Sequence, residues 1–512
     1  MKKYFLFTML LCASTTFAQF RSTNDWLTDN GNAQRTATIK GDAQINKDLV
    51  AQPGYLKFLW KLKLSKTPTR LSTPATLELL IGYRGFRMMA FVAGGNNQLY
   101  TIDTDLGRLE WEKTLKAAPV NASGVCSGGT STSVVRPTES AIATGGGGFG
   151  FGRSTPAVSS VGEPKAGATT IRAATGVGFE IPTTPPPVKS DKPTKPPMGG
   201  VFFGGANVIY ALGRDGMIHA MHLSNGADYH APVQFLPAGA NANGLIVVDG
   251  MAYAVTTNGC GGAANGLWQL DFETQKVSTW KGNIVGAAGA AFGPDGTIYV
   301  ATSEGALTAI DAKTLQTKAT YSATGGMAST PVVFKHGSKT LIAAAAKDGS
   351  LHLLDAANLS AALATTARTN PSIATTALAS YQDANGTRWI LVAHNGALPA
   401  GFAGNAATNG AILAWKVVEA NGKLVLQKGW ASRNVASPLT STVINGVVFA
   451  TSSAANRSVI YALDGTTGKE LWNSGATITS SARGNALSGG MGQFYLTTQD
   501  GTLYAFGVPM ER

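Results

Sequence analysis

The residues best suited to chemistry are few and widely spaced in this 512-residue chain. Its six histidines are His219, His222, His230, His336, His352 and His394. His219 and His222 lie three positions apart on a predicted strand, where side chains alternate between the two faces, so they cannot bind one metal together. We therefore expect structural or surface roles for all six histidines.

The common sequence motifs of catalytic and cofactor sites do not reveal a site either. Gly145, Gly147 and Gly150 satisfy G-x-G-x-x-G, but no strand pattern leads in and no helix pattern follows, as a dinucleotide site requires. The sequence contains no C-x-x-C-H for haem attachment and no G-x-S-x-G nucleophile motif. A hydrolase or lyase whose catalytic residues come from separate parts of the chain stays open as a distant alternative.

The N terminus indicates export. The stretch MKKYFLFTMLLCASTTFA places two lysines before a short apolar run and ends on small residues, the order of a secretory signal peptide over residues 1–18 with cleavage near Ala18. The apolar run is too short to span a membrane, and Leu11 is too bulky before Cys12 for lipid attachment. The signal contains two lysines and no acidic residue, so its removal lowers the formal net charge from +12 to +10. We expect a periplasmic or secreted bacterial protein.

The elements that must position any site are copies of one short β-motif. Five copies end on aspartate: Leu99–Asp103, Leu267–Asp271, Leu307–Asp311, Leu351–Asp355 and Ile460–Asp464. Three looser copies end on another residue: Ile218–His222, Ile412–Lys416 and Leu503–Gly507. Successive copies start 40 to 61 residues apart, except for a first gap of 119. Each follows another β-like run, usually with a glycine or asparagine turn between them, as in a hairpin. Eight such units predict an all-β fold, an eight-bladed β-propeller of four-stranded antiparallel blades.

Two stretches outside the regular repeat have predicted roles. Residues 56–64 form a strand-like run before the first unit, whereas the last unit ends at Val508 after its third strand. We expect this N-terminal strand to close the last blade, which joins the two chain ends by hydrogen bonds. Residues 140–200 are rich in glycine and proline and predict a flexible insertion in blade two. The predicted domains are the signal peptide 1–18, an N-terminal extension 19–55 and the propeller 56–508.

The best-preserved copy, IYALDGTTGKELW, resembles the repeat of the pyrroloquinoline-quinone (PQQ) type β-propeller family. That repeat reads approximately h-x-A-h-D-x-x-T-G-x-x-x-W, where h is apolar. The positions that match it here are Ala462, Asp464, Thr467, Gly468 and Trp472, with Asp103, Gly107 and Trp111 matching in blade one. In blade three Trp280 falls one position late. The resemblance implies that Trp111, Trp280 and Trp472 dock each blade against its neighbour, an architectural role.

The same resemblance implies two kinds of function. The family includes alcohol and sugar dehydrogenases that hold PQQ over calcium, and non-catalytic scaffolds of outer-membrane assembly. The alcohol dehydrogenases carry adjacent cysteines beside the quinone, and this sequence has none. The repeated aspartates are spread over five blades, so they cannot converge on one metal and are expected to shape turns.

The favoured hypothesis is therefore an exported, non-catalytic binding or assembly scaffold, with no cofactor expected. The alternative is a PQQ- and calcium-dependent alcohol or sugar dehydrogenase with a divergent site. We expect a protein or cell-envelope partner, a monomeric propeller and no transmembrane span. We expect no nucleic-acid binding, because the positive charge is scattered rather than clustered.

Loops on one predicted face of the propeller hold the remaining candidate residues. Cys126 precedes the first strand of blade two and Cys260 lies between the second and third strands of blade three, positions that emerge on the same face. They are a candidate disulfide, and two free thiols are the alternative. Polar groups at a channel mouth form the default ligand site, and a water-filled funnel is the alternative. The channel-mouth candidates are Asn241, Asn243, Arg433, Asn434, Arg483 and Asn485.

Overall fold

Almost every regular element of the chain is a β-strand. The structure is a computed structural model, and it describes residues 25–82, 85–117, 132–140, 208–369, 377–404, 407–483 and 487–509. The predicted signal peptide and the predicted insertion lie outside these residues, apart from Ser140. Within the described ranges, no helix is both long and apolar enough to cross a membrane.

The N-terminal part of the described chain contains the only α-helix assigned in these ranges. Its elements are β1 (Thr38–Ile39), α1 (Lys47–Val50) and β2 (Lys57–Lys63). The helix is a single turn, and the side chain of Asn46 caps it by accepting from the Leu49 N–H at 3.0 Å. A 3₁₀ turn covers Cys260–Gly262 much later in the chain.

The first four blades follow in chain order. Blade one contains β3 (Ala75–Gly82), β4 (Gly85–Ala93), β5 (Gln98–Asp103) and β6 (Arg108–Thr114). After β7 (Pro137–Thr138), blade two contains β8 (Val208–Leu212), β9 (Met217–His222) and β10 (Val233–Gln234). Blade three contains β11 (Asn241–Val248), β12 (Met251–Thr257), β13 (Gly266–Asp271) and β14 (Val277–Lys281). Blade four contains β15 (Ala291–Phe292), β16 (Ile298–Ala301), β17 (Ala306–Ile310) and β18 (Thr317–Ser322).

The last four blades repeat this arrangement. Blade five contains β19 (Val332–His336), β20 (Lys339–Ala345), β21 (Leu351–Asp355) and β22 (Ala364–Thr365). Blade six contains β23 (Ala379–Gln382), β24 (Arg388–His394), β25 (Ala403–Gly404), β26 (Ala411–Ala420) and β27 (Lys423–Ala431). Blade seven contains β28 (Thr442–Ile444), β29 (Val447–Ala454), β30 (Arg457–Asp464) and β31 (Glu470–Asn473). Blade eight contains β32 (Leu487–Gly490), β33 (Gln493–Thr497) and β34 (Thr502–Gly507).

The predicted closure of the propeller is confirmed. β2 pairs antiparallel with β34, from Lys57 opposite Gly507 to Lys63 opposite Thr502. It is therefore the fourth and outermost strand of blade eight, in the order β32-β33-β34-β2. The fold is the eight-bladed β-propeller of antiparallel blades that the repeats predict. Neighbouring blades pack through aromatic and aliphatic side chains, as where Phe449 of blade seven lies 4.4 Å from Phe494 of blade eight between ring centroids.

The repeated aspartates form turns, as predicted. Asp464 Oδ1 accepts from the backbone N–H groups of Thr466 and Thr467 at 2.7 and 3.3 Å. The equivalent carboxylates accept turn N–H groups in the same way: Asp103, Asp271, Asp311 and Asp355. These aspartates therefore stabilise the hairpin between the third and fourth strands of their own blades.

Some strands depart from the regular four-stranded pattern. β1 adds in parallel to β28 and β7 adds in parallel to β11, and both cover the inner edge of a blade. The described sheet of blade two has three strands, extended at its inner edge by one antiparallel bridge between Val135 and Tyr210. The inner edges of blades two, three and seven are thus paired with other parts of the chain.

Candidate functional site

The axis of the propeller is where all eight blades converge. Each innermost strand pairs with its own blade on one side only, so the N–H and C=O groups on its other edge need partners near the axis. Buried backbone groups need partners. In this protein residues 25–42, here called the axial segment, run through the centre and supply those partners.

The axial segment contacts the blades in the order of the chain. Six inner-strand N–H groups donate to its carbonyls at 2.8–3.0 Å, in the pairs Thr76–Trp26, Arg136–Leu27, Phe292–Ala33, Val333–Gln34, Ser380–Thr36 and Val443–Ala37. They belong to blades one, two, four, five, six and seven. In blade three Leu245 O accepts from Thr28 Oγ1 at 2.9 Å, and in blade eight Gly492 N–H donates to the Asp42 carboxylate at 2.8 Å. The segment is therefore hydrogen-bonded to all eight blades.

The backbone of the axial segment is folded tightly to fit this position. Asn30, Arg35 and Ala37 have φ angles of 55°, 60° and 53°, in the left-handed region that such residues rarely adopt. The turn at Gly31 packs against the ring of Trp26, which is 1% exposed. Such conformations persist only when surrounding contacts hold them.

Arg35 lies at the centre of the axial segment and is completely buried. Its guanidinium donates to Ala290 O at 2.8 Å and Gly244 O at 3.2 Å, which belong to blades four and three. It also donates to Thr28 Oγ1 at 3.0 Å and Asp29 O at 2.6 Å within the segment. Burial lowers the pKa of Arg35 to about 10, against the opposing effect of the Asp29 charge, so the group stays charged at neutral pH.

The carboxylates of the axial segment are each engaged by nearby groups. Asp25 forms an ion pair with Arg136 and accepts from the Glu78 N–H at 2.6 Å. Asp29 accepts from Ser133 Oγ at 2.7 Å, and burial raises the pKa of Asp29 although Ser133 and Arg35 favour its charged form. Asp42 binds the N–H of Gly492.

These axial groups do not fit a planar quinone with a calcium ion at the level of the axial segment. The inner-strand N–H groups already donate to peptide carbonyls, and the carboxylates already have partners within the chain. Within the described residues, no group of three or more His, Cys, Asp and Glu side chains is placed to hold a metal.

The channel-mouth candidates that the structure describes each make contacts of their own. Arg433 pairs with Glu470 and lies 4.9 Å from the ring centroid of Tyr461, so it contacts blade seven rather than the axis. Asn434 accepts from the Asn409 N–H at 2.9 Å, and Asn241 donates to Thr257 Oγ1 at 2.9 Å. The remaining candidates differ in environment: Asn243 is half-buried, Arg483 is exposed, and Asn485 lies outside the described residues. No hydrogen bond or ion pair in the described structure joins any two of them, and their ligand role stays a prediction.

The predicted tryptophans do contact the following blade. Trp111 Nε1 donates to Leu223 O of blade two at 2.8 Å, and Trp280 Nε1 donates to Thr317 Oγ1 of blade four at 3.1 Å. Trp472 lies edge-on to Phe494 and Phe506 of blade eight, with ring centroids 5.8 Å apart in both pairs.

Two further tryptophans make the same contact, although the repeat pattern of the sequence does not predict it. Trp430 Nε1 donates to Gly465 O of blade seven at 2.6 Å, and Trp60 Nε1 donates to Thr104 O of blade one at 2.9 Å. Each indole covers a glycine of the next blade, Gly468 or Gly107, where an added Cβ would lie 2.4–2.5 Å from the ring. Both glycines have positive φ, so the turn and the close approach each require glycine.

Cys260 is disulfide-bonded in the structure. It is 1% exposed and begins the 3₁₀ turn in the loop between β12 and β13. The predicted partner, Cys126, lies outside the described residues, so the pairing stays a prediction.

One histidine is held in a buried polar chain on blade five. His352 Nδ1 lies 2.9 Å from the hydroxyl of Tyr321, and Nε2 lies 3.0 Å from Ser350 Oγ. Ser350 donates its own proton to Asp348 at 2.6 Å, so the Nε2–H of His352 donates to Ser350 and its Nδ1 accepts from Tyr321. Burial lowers the pKa of His352, against the opposing charge of Asp348. These hydrogen bonds indicate that His352 has a structural role and is neutral in the folded protein.

This buried histidine predicts a specific loss of stability in acid. His352 binds a proton below about pH 6.5 in the unfolded chain, but only at lower pH in the folded protein. Its contribution to the free energy of unfolding is therefore fully present above about pH 6.5 and is lost as the pH decreases toward the folded-state pKa. The total loss is about 1.4 kcal/mol per unit of difference between the two pKa values. We expect the urea-unfolding free energy of the unmodified protein to fall more steeply between about pH 7 and 5 than that of His352→Gln. Parallel pH profiles would contradict the assignment.

Comparison with known proteins supports the architecture. A family profile described as outer membrane protein assembly factor BamB matches residues 262–508, just under half of the chain. No curated protein matches the chain.

Three solved structures illustrate the similarity. A quinohemoprotein alcohol dehydrogenase from Comamonas testosteroni is 14% identical, over 97% of this chain and 82% of that chain, with a TM-score of 0.59. A second such enzyme, from Pseudomonas putida, is 11% identical over 96% and 81%, with a TM-score of 0.55. BamB from Moraxella catarrhalis is 11% identical over 89% and 99%, with a TM-score of 0.49.

At these identities the two alcohol dehydrogenase structures show the fold alone. The profile match, the eight blades and the turn-forming aspartates agree with the repeat read from IYALDGTTGKELW. Over residues 262–508 the chain therefore matches a family of PQQ-type β-propeller repeats, as the resemblance implies.

Proposed function

We propose that this protein is an exported, non-catalytic β-propeller that serves as a binding or assembly scaffold in the cell envelope. The observation that carries the proposal is the axial segment. It fills the position where the blades converge and where a propeller most readily holds a small ligand. The blade faces and outer strands then remain for contact with a partner.

Two further observations support this proposal. The family profile that matches residues 262–508 is described as an outer membrane protein assembly factor. The N-terminal sequence predicts a signal peptide over residues 1–18, in keeping with a periplasmic or secreted location. The similarity to quinohemoprotein alcohol dehydrogenases, at 11–14% identity, concerns the fold.

A quinone-binding assay tests the non-catalytic part of the proposal. We expect PQQ with calcium to leave the melting temperature of the purified protein unchanged, because only a ligand that binds the folded state raises it. We also expect no reduction of an acceptor dye when alcohols or sugars are added. An apo quinohemoprotein alcohol dehydrogenase is the positive control. Saturable PQQ binding together with dye reduction would overturn the proposal in favour of a dehydrogenase.

The scaffold part is tested in the producing cells by cross-linking the tagged protein in intact envelopes. We expect discrete species larger than the 52.8 kDa chain, which mass spectrometry identifies as complexes with other envelope proteins. A protein that stays monomeric under conditions that cross-link a known envelope complex would contradict the scaffold role.

A further inference from the structure

We propose that the axial channel is a peptide-binding site whose resident ligand is the axial segment, held by non-covalent contacts that the same peptide can make in trans. This inference goes beyond the scaffold function and does not depend on it. It assigns the channel a ligand class, a polypeptide that folds into tight turns around one buried arginine.

The blades hold the axial segment mainly by hydrogen bonds to its backbone. Six carbonyls of the axial segment accept from N–H groups of six different blades, at 2.8–3.0 Å. Proteins that bind peptides at a sheet edge use the same main-chain hydrogen bonds. Here the edges belong to separate sheets, and only two residues of the segment, Thr38 and Ile39, form a regular strand pairing. The channel therefore recognises a backbone that is folded into turns rather than a straight strand.

The two blade carbonyls that accept from Arg35, here called the arginine cradle, make the channel specific for a peptide that carries arginine. The carbonyls of Gly244 and Ala290 project from blades three and four and receive the buried guanidinium of Arg35. The two blades approach closely here, because a Cβ on Gly244 would lie 2.5 Å from Ala288 O. Carbonyl oxygens at fixed positions match the donors of a guanidinium better than those of an ammonium group. The site is thus selective for arginine at this position of the peptide.

Apolar side chains anchor the peptide on both sides of the arginine. Trp26, Ala37 and Ile39 are at most 4% exposed and pack into the cluster that joins blades six, seven and eight. Ala33 is fully buried among residues of blades three and four. The small residues at positions 33 and 37 allow the peptide backbone to lie close to the strand edges.

The connection between this ligand and the propeller is exposed. Residues 51–54 are all exposed, between the buried Val50 and Leu56. A Cβ placed on Gly54 would meet no atom within 4 Å, so the turn has room for an insertion. Cutting the folded chain at this turn leaves the preceding residues attached only by non-covalent contacts.

The test uses the full chain with a protease recognition sequence inserted after Gln52. The protein is folded intact and then cut, and gel filtration shows whether the N-terminal fragment stays with the propeller. A fluorescent synthetic peptide of residues 23–52 is then added under mildly denaturing conditions to exchange with the fragment. Competitor peptides carry Arg35→Ala or, as the matched control for an exposed cation in the same segment, Lys40→Ala.

We expect the fragment to co-elute with the propeller and to exchange with the labelled peptide saturably. We expect the Lys40→Ala competitor to match the native peptide and the Arg35→Ala competitor to be at least about 100-fold weaker. Release of the fragment from a propeller that stays folded and binds no peptide would overturn the proposal. Unfolding of the cut protein would also overturn it, because the segment would then be an inseparable part of the core.

Discussion

Replacing Arg35 with alanine is expected to lower the free energy of unfolding by about 3–5 kcal/mol. The side chain is fully buried, and its removal leaves the carbonyls of Gly244 and Ala290 without a donor. Each unsatisfied buried acceptor costs about 1–3 kcal/mol, and the space vacated by the side chain adds to that loss. Urea-unfolding curves monitored by intrinsic fluorescence measure the change.

Lys40→Ala is the matched control for the loss of a positive charge from the same segment. Lys40 is exposed, and surface substitutions of this kind usually change stability by less than about 0.5 kcal/mol. A loss below about 1 kcal/mol for Arg35→Ala would mean that water replaces the guanidinium and that the cradle is not an essential contact.

The second large effect is expected at Trp430. Its side chain is 2% exposed, it packs against Gly468 of the next blade, and its N–H donates to Gly465 O at 2.6 Å. We expect Trp430→Ala to destabilise the propeller by about 3–5 kcal/mol, the range for removing a buried tryptophan. Trp280→Ala is the matched control at the equivalent place in blade three. Trp280 is only half-buried, so a smaller loss of about 1–2 kcal/mol is expected.

A double-mutant cycle with Gly468→Ala separates docking from simple burial. The added methyl group would lie 2.4 Å from the Trp430 ring, so Gly468→Ala is expected to destabilise the native protein. In the Trp430→Ala background that clash is absent, and only the cost of a positive φ of 73° at a non-glycine residue remains. Additive effects of the two substitutions would contradict direct docking.

Where the repeat is intact, the sequence predicts the structure well. The run Ile460–Asp464 lies within β30, and the Asp464 side chain forms the turn before β31. Alternation of side chains and turn chemistry are local properties, so they can be read from neighbouring residues. Blade six shows the limit of this reading. Lys416 replaces the aspartate there, and the β26–β27 hairpin is longer, so the docking position of Trp430 could not be recognised by its spacing.

A Ser-Thr-Pro run precedes the inner strand of blades one and five. The runs begin at Ser72 and Ser329, and the strands β3 and β19 begin after them, at Ala75 and Val332. In both places a proline without an N–H precedes the strand. The serine hydroxyl accepts from the second strand, at 2.9 Å from the N–H of Ala93 or Ala345. The serine side chain thus supplements the main-chain bond that its own N–H donates to the carbonyl of Ala93 or Ala345.

The sequence by itself determined the repeat, the number of blades and the strand that closes them. Their signals are periodicity and turns over a few residues, which depend on local hydrogen bonds. Only the tertiary structure decided what occupies the axis. The partners of the axial segment are distant in sequence, as for Asn30, which donates to the carbonyl of Leu378, 348 residues away. The free strand edges that bind it converge only when all eight blades close into a ring, so no local pattern could predict it.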